Sequence, residues 1–246
     1  MRSRRQQARF AGFLYLLLGL TAPLGLMYVP ARLLVRGDAA ATADNIRRLD
    51  WLLHAGIASE LIHQTIAVFV VLALYDLFKD VDKGLARQVV IFGALLSVPI
   101  MFLNVVNDVA AAVLASGAGY LSVFQQGQLD ALAYLFLHLH TRGVNAASVF
   151  WGLWLFPFGL LVIRCGFIPR VFGWLLLAAG TGYVLGSFVA LVLPQYEAAV
   201  APIVMPLVMG ELPIVFWLLI KGAKAPPGRT EVRPYDEPSN PRTREP

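Results

Sequence analysis

The stretch ASELIHQTIAVFVVLAL, residues 58–74, places Glu60, His63 and Gln64 in its first seven positions and follows them with an almost wholly apolar run. Extended to Leu53–Leu77, the segment is longer than the roughly 20 residues a helix needs to cross a hydrocarbon core of about 30 Å. It carries no Pro between its ends. The spacing therefore predicts a membrane helix with polar groups set into its upper part.

Five more stretches have the same character: Phe10–Val29, Gln88–Leu114, Gly143–Ile163, Val171–Leu193 and Val200–Ile220. None shows the alternation of barrel strands, and lipid admits only helices or closed barrels because every backbone polar group must be satisfied internally. Composition agrees. The 246-residue chain is 58% hydrophobic and 14% charged, against about 25% charged for an average soluble domain. A soluble globule of this length has too little interior to hide that much apolar side chain. The predicted fold is an all-α integral membrane bundle of about six transmembrane helices with short outer interfacial helices. Residues 1–224 form one domain in this reading, and the Pro- and charge-rich tail 225–246 is expected to be disordered.

The net charge of +5 does not indicate nucleic acid, because the basic residues form no patch interleaved with aromatics and no recognition motif is present. They fall at the ends of the apolar runs, where Lys and Arg set orientation. One side collects Arg2, Arg4, Arg5 and Arg9, then Lys79, Lys83 and Arg87, then Arg164 and Arg170, and finally the basic residues of the tail. The other side holds Arg32, Arg36, Arg47, Arg48 and Arg142. That asymmetry predicts a multi-pass protein of the cell membrane with both termini cytoplasmic. The first apolar run exceeds the usual signal-peptide core, so it is read as a retained helix. The single Cys165 excludes an internal disulfide and any multi-thiolate metal site.

Two connections carry order. In GDAAATADNIRRLDW (37–51), Asp38 is a good N-cap ahead of helix-favouring alanines, which predicts a short helix at the outer interface, with Trp51 anchoring the next span. In FQQGQLDALAYLFLHLH (124–140), leucines at helical spacing accompany Asp130, His138 and His140. It is expected to lie along or dip into the outer surface before the fourth span.

Taken together, ARFAGFLYLLLGLTAPLGLMYVP, GDAAATADNI, FWGLWLFPFGLLVIRCGFIPRVFGWLLL and GELPIVFWLLIKG resemble the prokaryotic membrane proteins grouped as the domain of unknown function 4386 family. The similarity runs from about residue 8 to residue 223. It implies a polytopic membrane protein and supplies no activity, cofactor or catalytic residue.

Ionisable groups at the centre of a membrane helix cost about 2.5–3.5 kcal/mol on insertion scales, so they are the candidates for function. Glu60, His63 and Gln64 share one helical face at i, i+3 and i+4. FLNVVND repeats the spacing with Asn104, Asn107 and Asp108 on a span running the other way. Both sets fall in the outer half, where Glu60 could pair with Asn104 or Asn107. Glu211, on the last span, lies near the depth of His63 and could contact it. Pro206 and Pro213 bracket Gly210 and Glu211, so that helix is expected to be irregular there. Gly182 and Gly186, four apart, permit a close helix approach, either inside the bundle or in a homo-oligomer.

These seven polar residues are read in two ways: as interhelical hydrogen bonds holding a small bundle, or as a ligand, ion or proton site. The favoured function is non-enzymatic, a packing core or small-ligand pocket. The alternatives are a small-molecule or proton-coupled transporter and a metal-assisted lipid hydrolase or transferase. No cofactor and no metal is expected. HExxH is absent, and in His138-x-His140 the rings project about 200° apart on a helix, too far for one ion to hold both. His138, His140 and His54 are read as interfacial polar residues. The lipid bilayer is the expected partner.

Overall fold

A computed structural model of the chain describes residues 3–223. The expected disordered tail, 225–246, lies outside the described residues. These residues form seven long or medium helices and, among them, no strand. They are α1 (Arg4–Leu33), α2 (Ala39–Arg48), α3 (Asp50–Phe78), α4 (Lys83–Ala115), α5 (Gln126–Cys165), α6 (Arg170–Val192) and α7 (Pro194–Ile220). All except α2 are long and apolar enough to cross a membrane.

The protein is an all-α membrane bundle. Its six long helices close a ring in the order α1, α3, α4, α5, α6, α7, with α7 returning to α1. Outward-facing side chains such as Phe13, Phe69, Leu103, Trp174 and Phe216 are about half or more exposed, a surface suited to lipid rather than water. The interior holds two apolar clusters. One, toward the end of the bundle where α1 begins, is built on Tyr15, Phe78, Trp154, Phe158 and Phe167. The other, at the α2 end, joins Val29, Leu33, Ile46, Leu53, Ala111 and Leu137. The polar residues considered below lie between them.

α2 forms where expected: Asp38 accepts a hydrogen bond from the Ala41 amide at 2.8 Å and caps the helix. Its Arg47 reaches Asp130 of α5 at 3.0 Å, which seats the short helix on the bundle. Trp51 is exposed beside it. The irregularity predicted in the last span is present as a 3₁₀ turn, Met209–Glu211. Two π-helical stretches were not anticipated. Leu24–Tyr28 follows Pro23, and Ile91–Leu96 precedes Pro99. In each case a proline removes a helical hydrogen bond and the ladder resumes with a wider turn.

One expectation is corrected. Residues 124–140 do not form a separate surface segment; from Gln126 they are the first third of α5, which runs unbroken for 40 residues. Gly143, taken as the start of a new span, is an interior helical position where a side chain would overlap Asn104 of α4. Close packing offsets its poor helix propensity. At about 1.5 Å per residue α5 is roughly 60 Å long, twice the hydrocarbon thickness. α2 packs against the part that extends past the rest.

At the opposite end, Asp82 caps the start of α4 through the Gly84 and Leu85 amides and pairs with Arg164 of α5 at 2.8 Å. The Leu85 and Gly84 amides, with Arg164, hold its carboxyl below the usual range. A depressed folded pKa stabilises at pH values above the unfolded value, and that contribution is lost as pH falls through the folded one. Asp82→Ala is therefore expected to lower the thermal midpoint at neutral pH. The difference from the parent should shrink on acidification below the carboxylate range, which a pH series of melting curves would check.

Candidate functional site

Three helices meet around one imidazole. His140 of α5 points into the bundle with its Nδ1 3.0 Å from Asp108 Oδ2 of α4 and its Nε2 3.2 Å from Glu60 Oε1 of α3. All three side chains are more than nine-tenths buried. The Glu60 contact has the distance of an ion pair but not the alignment of a hydrogen bond. His140 Nε2, Glu60 Oε2 and the Gln64 amide nitrogen are buried without a hydrogen-bond partner among the described residues. Buried polar atoms in native structures are seldom left so, since each costs about 1–3 kcal/mol.

The backbone has been shaped to admit this cluster. Gly25 stands in the first π-helical stretch of α1, and a methyl group there would lie 2.5 Å from Glu60 Cγ. Glycine thus lets α1 close over the carboxylate. Asn104 of α4 donates to the His140 carbonyl at 2.9 Å and accepts from Asn107 at 3.0 Å. Its amide occupies the space left by Gly143. A cavity of about 10 Å³ is bounded by Gly25, Val29, Leu53, Glu60, Asp108 and His140, close to the minimum that holds one water.

Of the seven residues singled out in the sequence, Glu60 and Asp108 are brought together, and Asn104 and Asn107 support them. Gln64 is buried one turn along α3 from Glu60. Glu60 pairs with neither asparagine; its partner is the imidazole that lies between the two helices. His63 is not part of the group. It turns to α1, where Nδ1 lies 3.0 Å from the Leu18 carbonyl and 3.1 Å from Thr21 Oγ1. The predicted Glu211–His63 contact is absent. Glu211 instead accepts from Tyr15 of α1, with Tyr183 of α6 as the second hydroxyl beside it. The 3₁₀ turn at Met209–Glu211 aims the carboxyl at the aromatic cluster rather than at α3.

The residue missed is His140, read as interfacial. The signal was there: Leu129, Ala133, Leu137 and His140 recur at helical spacing, and all four are buried. Continuing that stripe would have put His140 inside and His138 off to the side. His138 is only half-buried, edge-on to Tyr134 with ring centroids 4.5 Å apart. His54 is exposed beside Asp50.

Comparison with known sequences decides the kinship. The family model for the domain of unknown function DUF4386 matches residues 10–222. The chain belongs to the DUF4386 family. The match runs from the second turn of α1 to just past the end of α7, and so contains the whole Glu60–Asp108–His140 cluster. An uncharacterised protein of Archaeoglobus fulgidus is 32% identical over 81 residues, 33% of this chain and 47% of that protein. The match thus spans about half the length of that relative. No solved structure matches.

Proposed function

We propose that the chain is a non-enzymatic protein of the cell membrane, with both termini cytoplasmic, that takes a small anionic amphiphile into a vestibule on the outer side. The observation that supports this reading is a cavity of about 870 Å³ at the α2 end. It lies between the end of α1, the middle of α5 and the start of α7. Its size falls in the range of ligand pockets, about 300–1,000 Å³. Pro30, Leu34, Ala198 and Ala201 give it apolar walls, and Arg36 and Arg142 bring two positive charges against the single negative charge of Glu197. Arg142 is held in place by a hydrogen bond to the Ala190 carbonyl of α6. Such a lining suits a carboxylate or phosphate head on a single apolar tail. The vestibule shares Pro30 and Leu34 with the small cavity of the buried cluster, so a bound head would sit close to it. The placement of basic residues supports the orientation, since most of them cluster at the opposite end.

Binding of dodecanoate to the purified protein in nanodiscs tests the reading, with dodecylammonium as the charge-reversed control. Arg36→Gln combined with Arg142→Gln should weaken dodecanoate binding by about tenfold or more, the effect of losing charge-assisted hydrogen bonds. Equal binding of the two amphiphiles would refute it.

A second reading has its own support. A buried imidazole between two carboxylates is an arrangement that can hold and pass a proton, as a proton-coupled carrier requires. Glu60→Gln would then abolish pH-driven uptake into proteoliposomes, and uptake equal to the parent would exclude it.

A further inference from the structure

We propose that Glu60, Asp108 and His140 form a binding site for one divalent transition-metal ion, zinc in the first instance, which ties α3, α4 and α5 together. The inference goes beyond the amphiphile reading and stands whether or not the vestibule takes a ligand. Each of the three residues offers one ligand atom, and these atoms all lie within 4.8 Å of one another. Glu60 Oε1 and His140 Nε2 are 3.2 Å apart. Two ligands at the usual zinc distances of about 2.0–2.1 Å in a tetrahedron stand roughly 3.3 Å apart, so this pair already has the separation of neighbouring ligands. Asp108 Oδ2 is 3.0 Å from Nδ1, the position a carboxylate takes behind many metal-bound imidazoles.

Two further observations point to an occupant. The first is the pair of orphans, Glu60 Oε2 and His140 Nε2, each fully buried and without a hydrogen bond. The second is the cavity of about 10 Å³, which all three side chains line. It has room for one small ligand such as a water bound to the ion. Charge favours the same conclusion. Two carboxylates and a protonated imidazole sum to −1, whereas two carboxylates, a neutral imidazole and a divalent ion sum to zero. In a low-dielectric interior the neutral assembly is the less costly one. Imidazole with carboxylate suits zinc and its first-row neighbours rather than calcium or magnesium.

The experiment is a titration of chelator-treated full-length protein in detergent with cobalt(II), followed by displacement with zinc(II). One equivalent of cobalt should bind and give the visible absorption of a tetrahedral site. X-ray absorption of the zinc form should report nitrogen and oxygen ligands only. Glu60→Gln and His140→Gln should abolish the signal, and Asp108→Asn should weaken binding by about 10–100-fold, as second-shell changes do. His54→Ala, at an exposed histidine, should bind normally. Parent protein that is monodisperse and helical yet binds no cobalt or zinc at millimolar concentration would overturn the proposal. So would sulfur among the ligands, or full binding by folded Glu60→Gln.

Discussion

His140→Ala is expected to destabilise the metal-free protein by about 3–5 kcal/mol, the loss typical when one member of a buried ion pair is deleted. The reason lies in what remains. Glu60 and Asp108 sit on neighbouring antiparallel helices, each less than 10% exposed, and the imidazole is the only group described between them. Without it two carboxylates face each other across a void, and at least one must take up a proton to stay buried. The void adds its own penalty because Gly25, Leu53 and Leu137, which line the small cavity beside the imidazole, are fixed by helix packing and cannot collapse into it. His138→Ala, two residues away, loses an edge contact with Tyr134 and should cost no more than about 1.5 kcal/mol. The triple variant Glu60→Gln, Asp108→Asn, His140→Ala should recover part of the lost stability, since neutral amides replace the opposed charges. Chemical unfolding followed by helical circular dichroism would rank the four proteins. A His140→Ala loss no larger than that of His138→Ala would mean that the cluster is not a set of charged partners.

The architecture was readable because its physics is local. An apolar run of some 20 residues has one structural solution in lipid, and Asp38 before a run of alanines has one obvious role. The site was only half readable, because helix faces say which residues align but not which helix is opposite. Glu60 and Asp108 were found from their spacing, each on a span where charge is expensive. Their shared partner escaped because residues 124–140 look like a surface segment: their charge and histidines mask a buried stripe. The same limit explains Glu211. Depth along the last span matched His63, yet the turn between Pro206 and Pro213 rotates the carboxyl toward Tyr15. A helical wheel drawn through an ideal helix cannot report that rotation. The vestibule could not be anticipated either, since it is made by the separation of three elements distant in sequence.

Gly180→Val is expected to cost about 3 kcal/mol or more, at or beyond the upper end for overpacked interiors. α5 and α6 are the most closely joined helices of the bundle, and they meet through glycines. A methyl group on Gly180 would lie 2.8 Å from the Gly152 carbonyl oxygen, and one on Gly152 would lie 2.7 Å from the Gly180 oxygen. One heptad along, Gly159 and Gly173 repeat the arrangement, at 2.8 and 2.6 Å from each other's carbonyls. Backbone meets backbone at both levels, so no side-chain rotamer can relieve a clash and the helices must part. Parting them undoes packing between spans, which in lipid has no hydrophobic drive to replace it. The levels lie about 10 Å apart along the helix. Gly173→Val should therefore add nearly its full cost to that of Gly180→Val, while Gly152→Val should add little, because those two share one contact. Gly19 supplies the contrast: an added methyl there meets nothing within 4 Å. Gly19→Ala should leave stability unchanged or raise it by up to about 1 kcal/mol through helix propensity alone. Thermal unfolding of the purified variants separates these outcomes. A Gly180→Val protein as stable as the Gly19→Ala protein would show that the α5–α6 seam does not require glycine.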